Sequence, residues 1–197
     1  IHCAAGGEAI ILDADPAQHS AAAWRRARRA NWPDHPRVAV ERIGEGLDLP
    51  DVAHTLAERY DLVLIDTGAM DSAYLRAGLT CAHTLVLPTS SDGMELWALD
   101  QMETLMTRAR PLNPHLRLVV AASRIPSNRA ATIANELRDW LAAHAPTMPA
   151  PEISVLVQRT AVSRASSLGL GVTELVQRPD PKASQEAQAL YDQVMTP

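Results

Sequence analysis

Short apolar segments alternate with longer amphipathic segments along the whole chain. Six short runs rich in Val, Ile and Leu predict β-strands. Several of these runs are apolar at every position, which is typical of strands buried on both faces of a sheet. The predicted strands span residues 8–13, 37–42, 61–66, 83–88, 117–122 and 153–157.

The segments between the predicted strands have the longer period of amphipathic helices. Asp48 or Asp51 is a candidate N-cap for the second helix, and Ser127 or Asn128 for the fifth. These short polar side chains accept hydrogen bonds from the unpaired backbone N–H groups of a first helical turn. The predicted helices span residues 17–30, 49–59, 72–80, 93–109, 128–144, 160–168 and 182–195.

The alternation of strands and helices predicts an α/β fold, with one doubly wound, mostly parallel sheet and helices on both faces. A chain of 197 residues can bury a sizeable core, and we expect residues 1–197 to form a single domain. We interpret the Pro-rich segment 144–152 as a loop rather than a linker, because the last strand needs the same sheet. Ligands of such sheets bind at the C-terminal ends of the strands.

Charge and cysteine content narrow the function classes. The formal net charge of −5 predicts no general attraction to nucleic acid, although a local basic patch is compatible with it. Cys3 and Cys81 lie far apart, which argues against a disulfide framework or a zinc site and suits a reducing compartment. We find neither a membrane-spanning apolar run nor a signal peptide, and we expect a cytoplasmic protein.

Two predicted strands end in aspartates. The first runs into D-A-D-P at 13–16, and the third ends with Asp66. Carboxylates at one edge of a parallel sheet suggest a site for Mg²⁺, which is commonly held by one or two carboxylates together with phosphate oxygens. The pattern of four apolar residues and Asp at 62–66 is of the Walker B type. It also fits an aspartate that caps the following turn, but the paired acids on the first strand favour the metal site.

Three sequence blocks together resemble the ParA-type partition ATPases, most closely the compact ParF-like and VirC1-like members. The blocks are ILDADPAQHSAAAW, the segment from YDLVLIDTG to MELWALD, and QRTAVSRASSLGLGVTEL. The resemblance implies a P-loop NTPase fold of the deviant Walker type that dimerises around ATP and Mg²⁺ and binds DNA non-specifically. It also implies a slow ATPase stimulated by DNA and by a centromere-binding, ParB-like partner, and association with the bacterial nucleoid.

The resemblance also assigns roles to individual residues. Asp15 would position the attacking water, Asp66 would be the Walker B acid, and Asp13 would lie in the Mg²⁺ shell. The implied nucleotide-binding residues are Asp13, Thr67, Pro88 and Arg124, with Pro88 bordering the nucleotide and Arg124 near its base.

Two groups of basic residues are candidate binding surfaces. Arg159 and Arg164 lie in the block that the resemblance links to DNA contact and to the dimer. Together with Arg138, Arg178 and Lys182 they form a candidate phosphate-binding patch, without the interleaved aromatic residues that base stacking needs. The run RRARR at 25–29 fits a solvated helix face better than a DNA or partner surface, and Trp24, Trp32, Trp97 and Trp140 fit packing better than base stacking.

The sequence departs from the family pattern at the phosphate-binding loop. It has no G-x-x-x-x-G-K-[ST] motif, and its only lysine is Lys182, so no lysine is available to neutralise phosphates in such a loop. Either the loop is omitted from this sequence, or the protein lacks it and is an inactive ATPase. We favour omission, because three acids at strand tips make little sense without a nucleotide. A smaller departure is Glu95, where relatives have Asp after the loop that starts at Pro88.

Two alternative functions remain open. A non-catalytic DNA- or partner-binding module derived from this fold requires the phosphate-binding loop to be truly absent. A MinD-like membrane-positioning ATPase would need a basic amphipathic C-terminal helix. The segment 181–197 carries one lysine among several acids and amides, so we expect no membrane partner.

Overall fold

The computed structural model describes residues 1–15, 20–44, 48–68, 71–90 and 93–196, without the side chains of 93–98 and 100. The strands in these ranges are β1 (Ala9–Asp13), β2 (Ala39–Arg42), β3 (Leu62–Asp66), β4 (Thr84–Thr89), β5 (Arg117–Ile125) and β6 (Glu152–Val157). The α-helices are α1 (Ser20–Asn31), α2 (Leu49–Ala57), α3 (Ala73–Cys81), α4 (Gly93–Ala109), α5 (Ile133–His144), α6 (Thr160–Leu168) and α7 (Pro181–Met195). The described ranges also contain two short 3₁₀ helices, His2–Ala5 and Val172–Glu174.

The described strands form two three-stranded sheets, with the orders β2-β1-β3 and β4-β5-β6. Every pairing is parallel, which confirms the α/β class. The expectation of one continuous sheet differs from what is seen, because no ladder between described residues joins β3 to β4. Within the described residues, β3 and β4 therefore each pair on one side only.

Strand β5 lies at the centre of the second sheet. Leu118 and Val120 pack on the face that carries α4 and α5, while the alternation of side chains puts Val119 and Ala121 on the opposite face. All four side chains are buried. A fully buried valine or leucine contributes roughly 1.5–3 kcal/mol to folding, so this apolar run stabilises both layers of helices.

Helix α3 is shared between the two sheets. Leu75 and Leu79 pack with Leu87 of β4 in the core of the second sheet. Tyr74 and Ala77 pack against the core of the first sheet, which contains Leu12 of β1 and Val63 and Ile65 of β3. Helix α3 therefore covers the interval between β3 and β4 on one face.

The tryptophans of the described residues contact neighbouring elements, as the sequence predicts. Trp32 packs with residues of α6 in a third apolar cluster, and its indole N–H donates to the Leu168 carbonyl at 3.0 Å. The indole N–H of Trp24 donates to the Leu170 carbonyl at 3.4 Å. Trp140 packs against the core of the second sheet. The packing role is confirmed for these three tryptophans, while the side chain of Trp97 lies outside the description.

The predicted helix ends hold in most cases. Asp48 caps α2, accepting a hydrogen bond from the Asp51 N–H. Helix α5 begins at Ile133 rather than at 128, so Ser127 and Asn128 are not its caps. Turns fill residues 127–132 instead, because short polar side chains there compete with the helical backbone. Residues 17–19 of the first predicted helix lie outside the described ranges.

The basic run on α1 is only partly a solvated face, which corrects the interpretation from sequence. Arg26 and Arg29 are exposed, but Arg28 is 4% exposed. Its guanidinium donates to both carboxylate oxygens of Glu174, at 2.8 and 2.7 Å, and to the Gly169 carbonyl at 3.1 Å. Burial raises the pKa of Glu174, but the hydrogen bonds from Arg28 and the Gly171 N–H outweigh it and hold this pKa at about 2.

Candidate nucleotide site

The structure brings the predicted acids together at the C-terminal edge of the first sheet. Asp13 and Asp66 are the last residues of β1 and β3 and are direct partners in the parallel register. The Ala14 N–H continues this pairing, donating to the Asp66 carbonyl at 2.8 Å. Asp15 follows one residue later and is half-buried. The two strands thus place three carboxylates at one edge.

Asp13 is the most unusual of the three acids. It is 2% exposed, and neither carboxylate oxygen has a hydrogen-bond partner in the described part of the protein. An uncompensated buried carboxylate costs several kcal/mol. A bound cation would supply the missing compensation, so the residues present fit a Mg²⁺ site.

The electrostatics of Asp66 depend on its neighbours. Burial raises the pKa of Asp66, and the carboxylate of Asp13 raises it further. A hydrogen bond from the Gly68 backbone opposes these effects, and the charge of Asp15 adds to them. Negative charge is therefore concentrated at this edge, and a cation would relieve the repulsion.

The turn after β3 is shaped around Asp15. Gly68 has a φ of 72°, in the left-handed region, and a Cβ at this position would lie 2.9 Å from Oδ2 of Asp15. A side chain is thus excluded by both conformation and space. Thr67, just before this glycine, is half-buried and belongs to the same turn.

The described residues contain no group of three or more His, Cys, Asp or Glu side chains that could hold a metal ion by themselves. A metal at Asp13 and Asp66 would need ligands from elsewhere. Mg²⁺ in phosphate sites has this requirement, because it keeps waters and takes phosphate oxygens as ligands. The donor set therefore suits Mg²⁺ with a phosphate compound better than a metal held by protein alone.

The residues predicted to border the nucleotide lie at the C-terminal end of the second sheet. Pro88 is an exposed residue of β4 and pairs with Ala121 of β5. Arg124 lies near the end of β5, beside an irregularity between Ala122 and Ile125. Its φ is 57° and its side chain is exposed. Helix α3 joins β3 to β4 and packs against the cores of both sheets. Glu95 has no described side chain.

The predicted DNA-binding residues surround the connection between α6 and α7. Arg164 donates to the backbone carbonyls of Gln177 and Arg178, and Arg178 and Lys182 are exposed. Arg159 is different, because its guanidinium lies 2.7 Å from Glu186 and 3.8 Å from Asp180.

These contacts divide the predicted patch. The charge of Arg159 is balanced by the two carboxylates. Arg178 and Lys182 therefore carry the exposed positive charge at this connection, and Arg164 beside them is half-buried. Arg138 lies apart in sequence on α5, where it donates to the Asn135 side chain at 2.8 Å.

Sequence reasoning found the acids but missed two features around them. The lack of hydrogen-bond partners at Asp13 among the described residues depends on the packing of the first sheet, so the sequence pattern does not predict it. The close approach of Gly68 to Asp15 has a signal, since a glycine two residues after a strand-end Asp is typical of a tight turn.

A scan against protein-family models finds no match for this chain, and a search of curated proteins finds none either. Solved structures match it over nearly its whole length. McdA from Cyanothece has a TM-score of 0.71 at 14% identity, with 98% of this chain and 89% of that chain covered. The septum site-determining protein MinD from Pyrococcus horikoshii, complexed with Mg-ADP, has a TM-score of 0.65 at 15% identity, covering 97% and 84%.

A plasmid partition protein from Borrelia burgdorferi is similar as well, with a TM-score of 0.57 at 13% identity, covering 96% of this chain and 87% of that chain. At these identities the comparisons show the fold. This chain has the α/β fold of MinD, McdA and the plasmid partition protein.

Proposed function

We propose that this chain is a ParA/MinD-like ATPase that binds Mg²⁺-ATP at the C-terminal edge of its sheets and uses it in positioning or segregation. The observation that carries the proposal is the buried, unpartnered carboxylate of Asp13 beside Asp66. The shared fold supports it, since a MinD of this fold is complexed with Mg-ADP.

Each acid has a separate role in the proposed reaction. Asp66 and Asp13 would hold Mg²⁺, which when bound neutralises charge on the phosphate oxygens. Asp15, held against the turn at Gly68, would orient the water that attacks the terminal phosphate. Pro88 and Arg124 would border the nucleotide, with Thr67 on the side of the first sheet.

The proposal needs a phosphate-binding segment that these 197 residues do not contain, and the interval between β3 and β4 is where it fits. Val63 and Ile65 face the core under α3, so Leu64 points to the opposite face. There, Leu64 is 43% exposed and Val86 of β4 is 36% exposed. A strand inserted in the interval would pair with both open edges, which are otherwise unfavourable, and would bring a phosphate-binding loop to the acids.

The finer proposal is a ParA/ParF-like role in DNA segregation. Arg164, Arg178 and Lys182 would bind DNA phosphates without reading sequence. ATP-dependent dimerisation would double this surface and strengthen DNA binding through avidity. A centromere-binding, ParB-like protein would stimulate hydrolysis, and the protein would associate with the nucleoid. No helix in the described part of the chain is long and apolar enough to cross a membrane.

A non-catalytic DNA- or partner-binding module is the second candidate. The observation that favours it is the sequence itself, which has no G-x-x-x-x-G-K-[ST] motif and no lysine outside the C-terminal region. In that case, the acids at the strand ends would not contribute to nucleotide binding.

Asp15→Asn tests the proposed hydrolysis. Neutralising the residue that orients water should lower the ATP turnover rate by roughly 100-fold or more, while ATP affinity changes little. Turnover is measured by phosphate release and affinity by calorimetry, on protein from the complete reading frame with DNA present. Asp139→Asn, an exposed position on α5, is the matched control and should behave as wild type. An Asp15→Asn protein with unchanged turnover would exclude the assigned role.

A further inference from the structure

A second candidate ligand site lies at the opposite edge of the first sheet. A cavity of about 700 Å³ is lined by the first residues of β1 and β2, by the face of α1 that carries Arg25 and Arg29, and by residues 33 and 35–38. It borders Ala9, whereas the nucleotide site borders Asp13 at the other end of β1. Its volume falls in the range of small-molecule sites, about 300–1,000 Å³.

The lining of the cavity is strongly basic. It includes Arg25, Arg28, Arg29 and Arg37, and the only acidic side chain among the lining residues is Glu8. Arg28 is already neutralised by Glu174, so it adds little attraction for a ligand. Three arginines against one glutamate leave a net positive charge.

Two of these arginines are available to a ligand. Arg29 and Arg37 are exposed and make no hydrogen bond or ion pair with the described residues. Arg25 is anchored, because its guanidinium donates to the Val40 carbonyl at 2.7 Å, and this contact leaves its other N–H groups for further bonds. Trp32 and Tyr60 supply aromatic surface to the same cavity.

We propose that this cavity binds a small organic phosphate, with Arg25, Arg29 and Arg37 as its phosphate-binding residues. Guanidinium groups match phosphate oxygens in a bidentate geometry. The concave shape and aromatic walls distinguish the cavity from an ordinary solvated helix face, and its volume exceeds what an inorganic phosphate would fill. The proposal does not depend on the ATPase function.

The test is calorimetric titration of AMP into the full chain in EDTA, with adenosine as the uncharged probe. AMP should bind at least tenfold more tightly than adenosine, and the R29Q/R37Q variant should lose at least tenfold in AMP affinity. R26Q/R108Q, which removes two exposed arginines outside the cavity, should bind AMP as wild type.

Two results would overturn the proposal: no AMP binding by the wild type, or equal losses in R29Q/R37Q and R26Q/R108Q. The D13N/D66N variant separates this site from the nucleotide site. AMP binding that survives D13N/D66N supports the cavity. Binding that is lost in D13N/D66N and kept in R29Q/R37Q contradicts the cavity proposal and leaves the ATPase proposal standing.

Discussion

At the scale of single residues, the carboxylate of Asp13 lies where folding alone disfavours it. It is buried and has no partner among the described residues, and the acid beside it on β3 adds repulsion. A protein tolerates such a group when a ligand compensates the charge, since residues that serve function often cost stability. The stability of Asp13 variants without ligand therefore reports on the site.

Replacing Asp13 by Asn removes the charge and keeps the size of the side chain. We expect D13N to raise the free energy of unfolding by about 1–2 kcal/mol in Mg²⁺-free buffer, measured by urea denaturation. The Asp139→Asn control should change it by less than about 0.5 kcal/mol. A D13N protein less stable than wild type under these conditions would mean that the fold itself requires the carboxylate.

The buried ion pair between Arg28 and Glu174 differs from Asp13, because each charged group has its partner within the fold. The Glu174 pKa of about 2 lies below the ordinary value of 4.5. The ion pair therefore makes its full contribution to stability at pH values above 4.5. This stabilisation is lost as the pH falls from 4.5 toward 2. Sequence reasoning missed the pair because its members are far apart along the chain, and only the packing of α1 against the 171–174 segment joins them.

We expect E174Q to lower the free energy of unfolding by about 3 kcal/mol at neutral pH, because it leaves the buried Arg28 without a counter-charge. The difference from wild type should shrink as the pH falls through the window from 4.5 to about 2. Urea denaturation across this pH range measures both effects. E136Q, in the exposed pair with Arg129, should have a much smaller effect. A difference that stays constant with pH would contradict the assigned pKa.

At the scale of elements, the connection between α6 and α7 carries the proposed DNA surface. Arg164 reaches the backbone at Arg178, and Lys182 lies in the first turn of α7. Arg159 is held by Glu186 and Asp180. The exposed residues Arg178 and Lys182 therefore lie close to Arg159, whose charge is used in ion pairs within the fold.

Removing the exposed charges should weaken DNA binding without affecting the fold. We expect the R178Q/K182Q variant to reduce the salt dependence of log K by up to about 0.9 per lost phosphate contact. Its circular dichroism should remain that of wild type. Fluorescence anisotropy with duplex DNA across a salt series measures this, and Arg108→Gln on α4 is the control. A variant with the wild-type salt slope would exclude this surface from DNA binding.

Some of the elements could be predicted from the sequence and others could not. Apolar runs such as 117–122 correctly predict buried strands, and the pattern offers Asp48 or Asp51 as the α2 cap, of which Asp48 is the cap. Both signals are local. The pattern predicts the start of α5 too early, at 128, because turns with local hydrogen bonds occupy 127–132. The rule that parallel strands end at one edge correctly places Asp13 beside Asp66.

At the scale of the whole molecule, the division of the described strands into two sheets could not be predicted from the sequence. Strand pairing is a long-range property, and the hydrophobic pattern does not show that β3 and β4 each have an open edge. Helix α3 packs against the cores of both sheets, and the interval below it adjoins the acids. Nucleotide binding at this edge would therefore explain both the open strand edges and the buried acids.

The most direct test of that claim is isothermal titration of Mg²⁺-ATP into protein from the complete reading frame, into its Asp66→Asn variant and into the 197-residue chain. The account predicts binding by the protein from the complete reading frame and at least a tenfold loss of affinity in the Asp66→Asn variant. It predicts little or no binding by the 197-residue chain, which lacks a phosphate-binding motif. Absence of Mg²⁺-ATP binding in all three proteins, or equal binding with and without the Asp66 carboxylate, would contradict the account and favour the non-catalytic module.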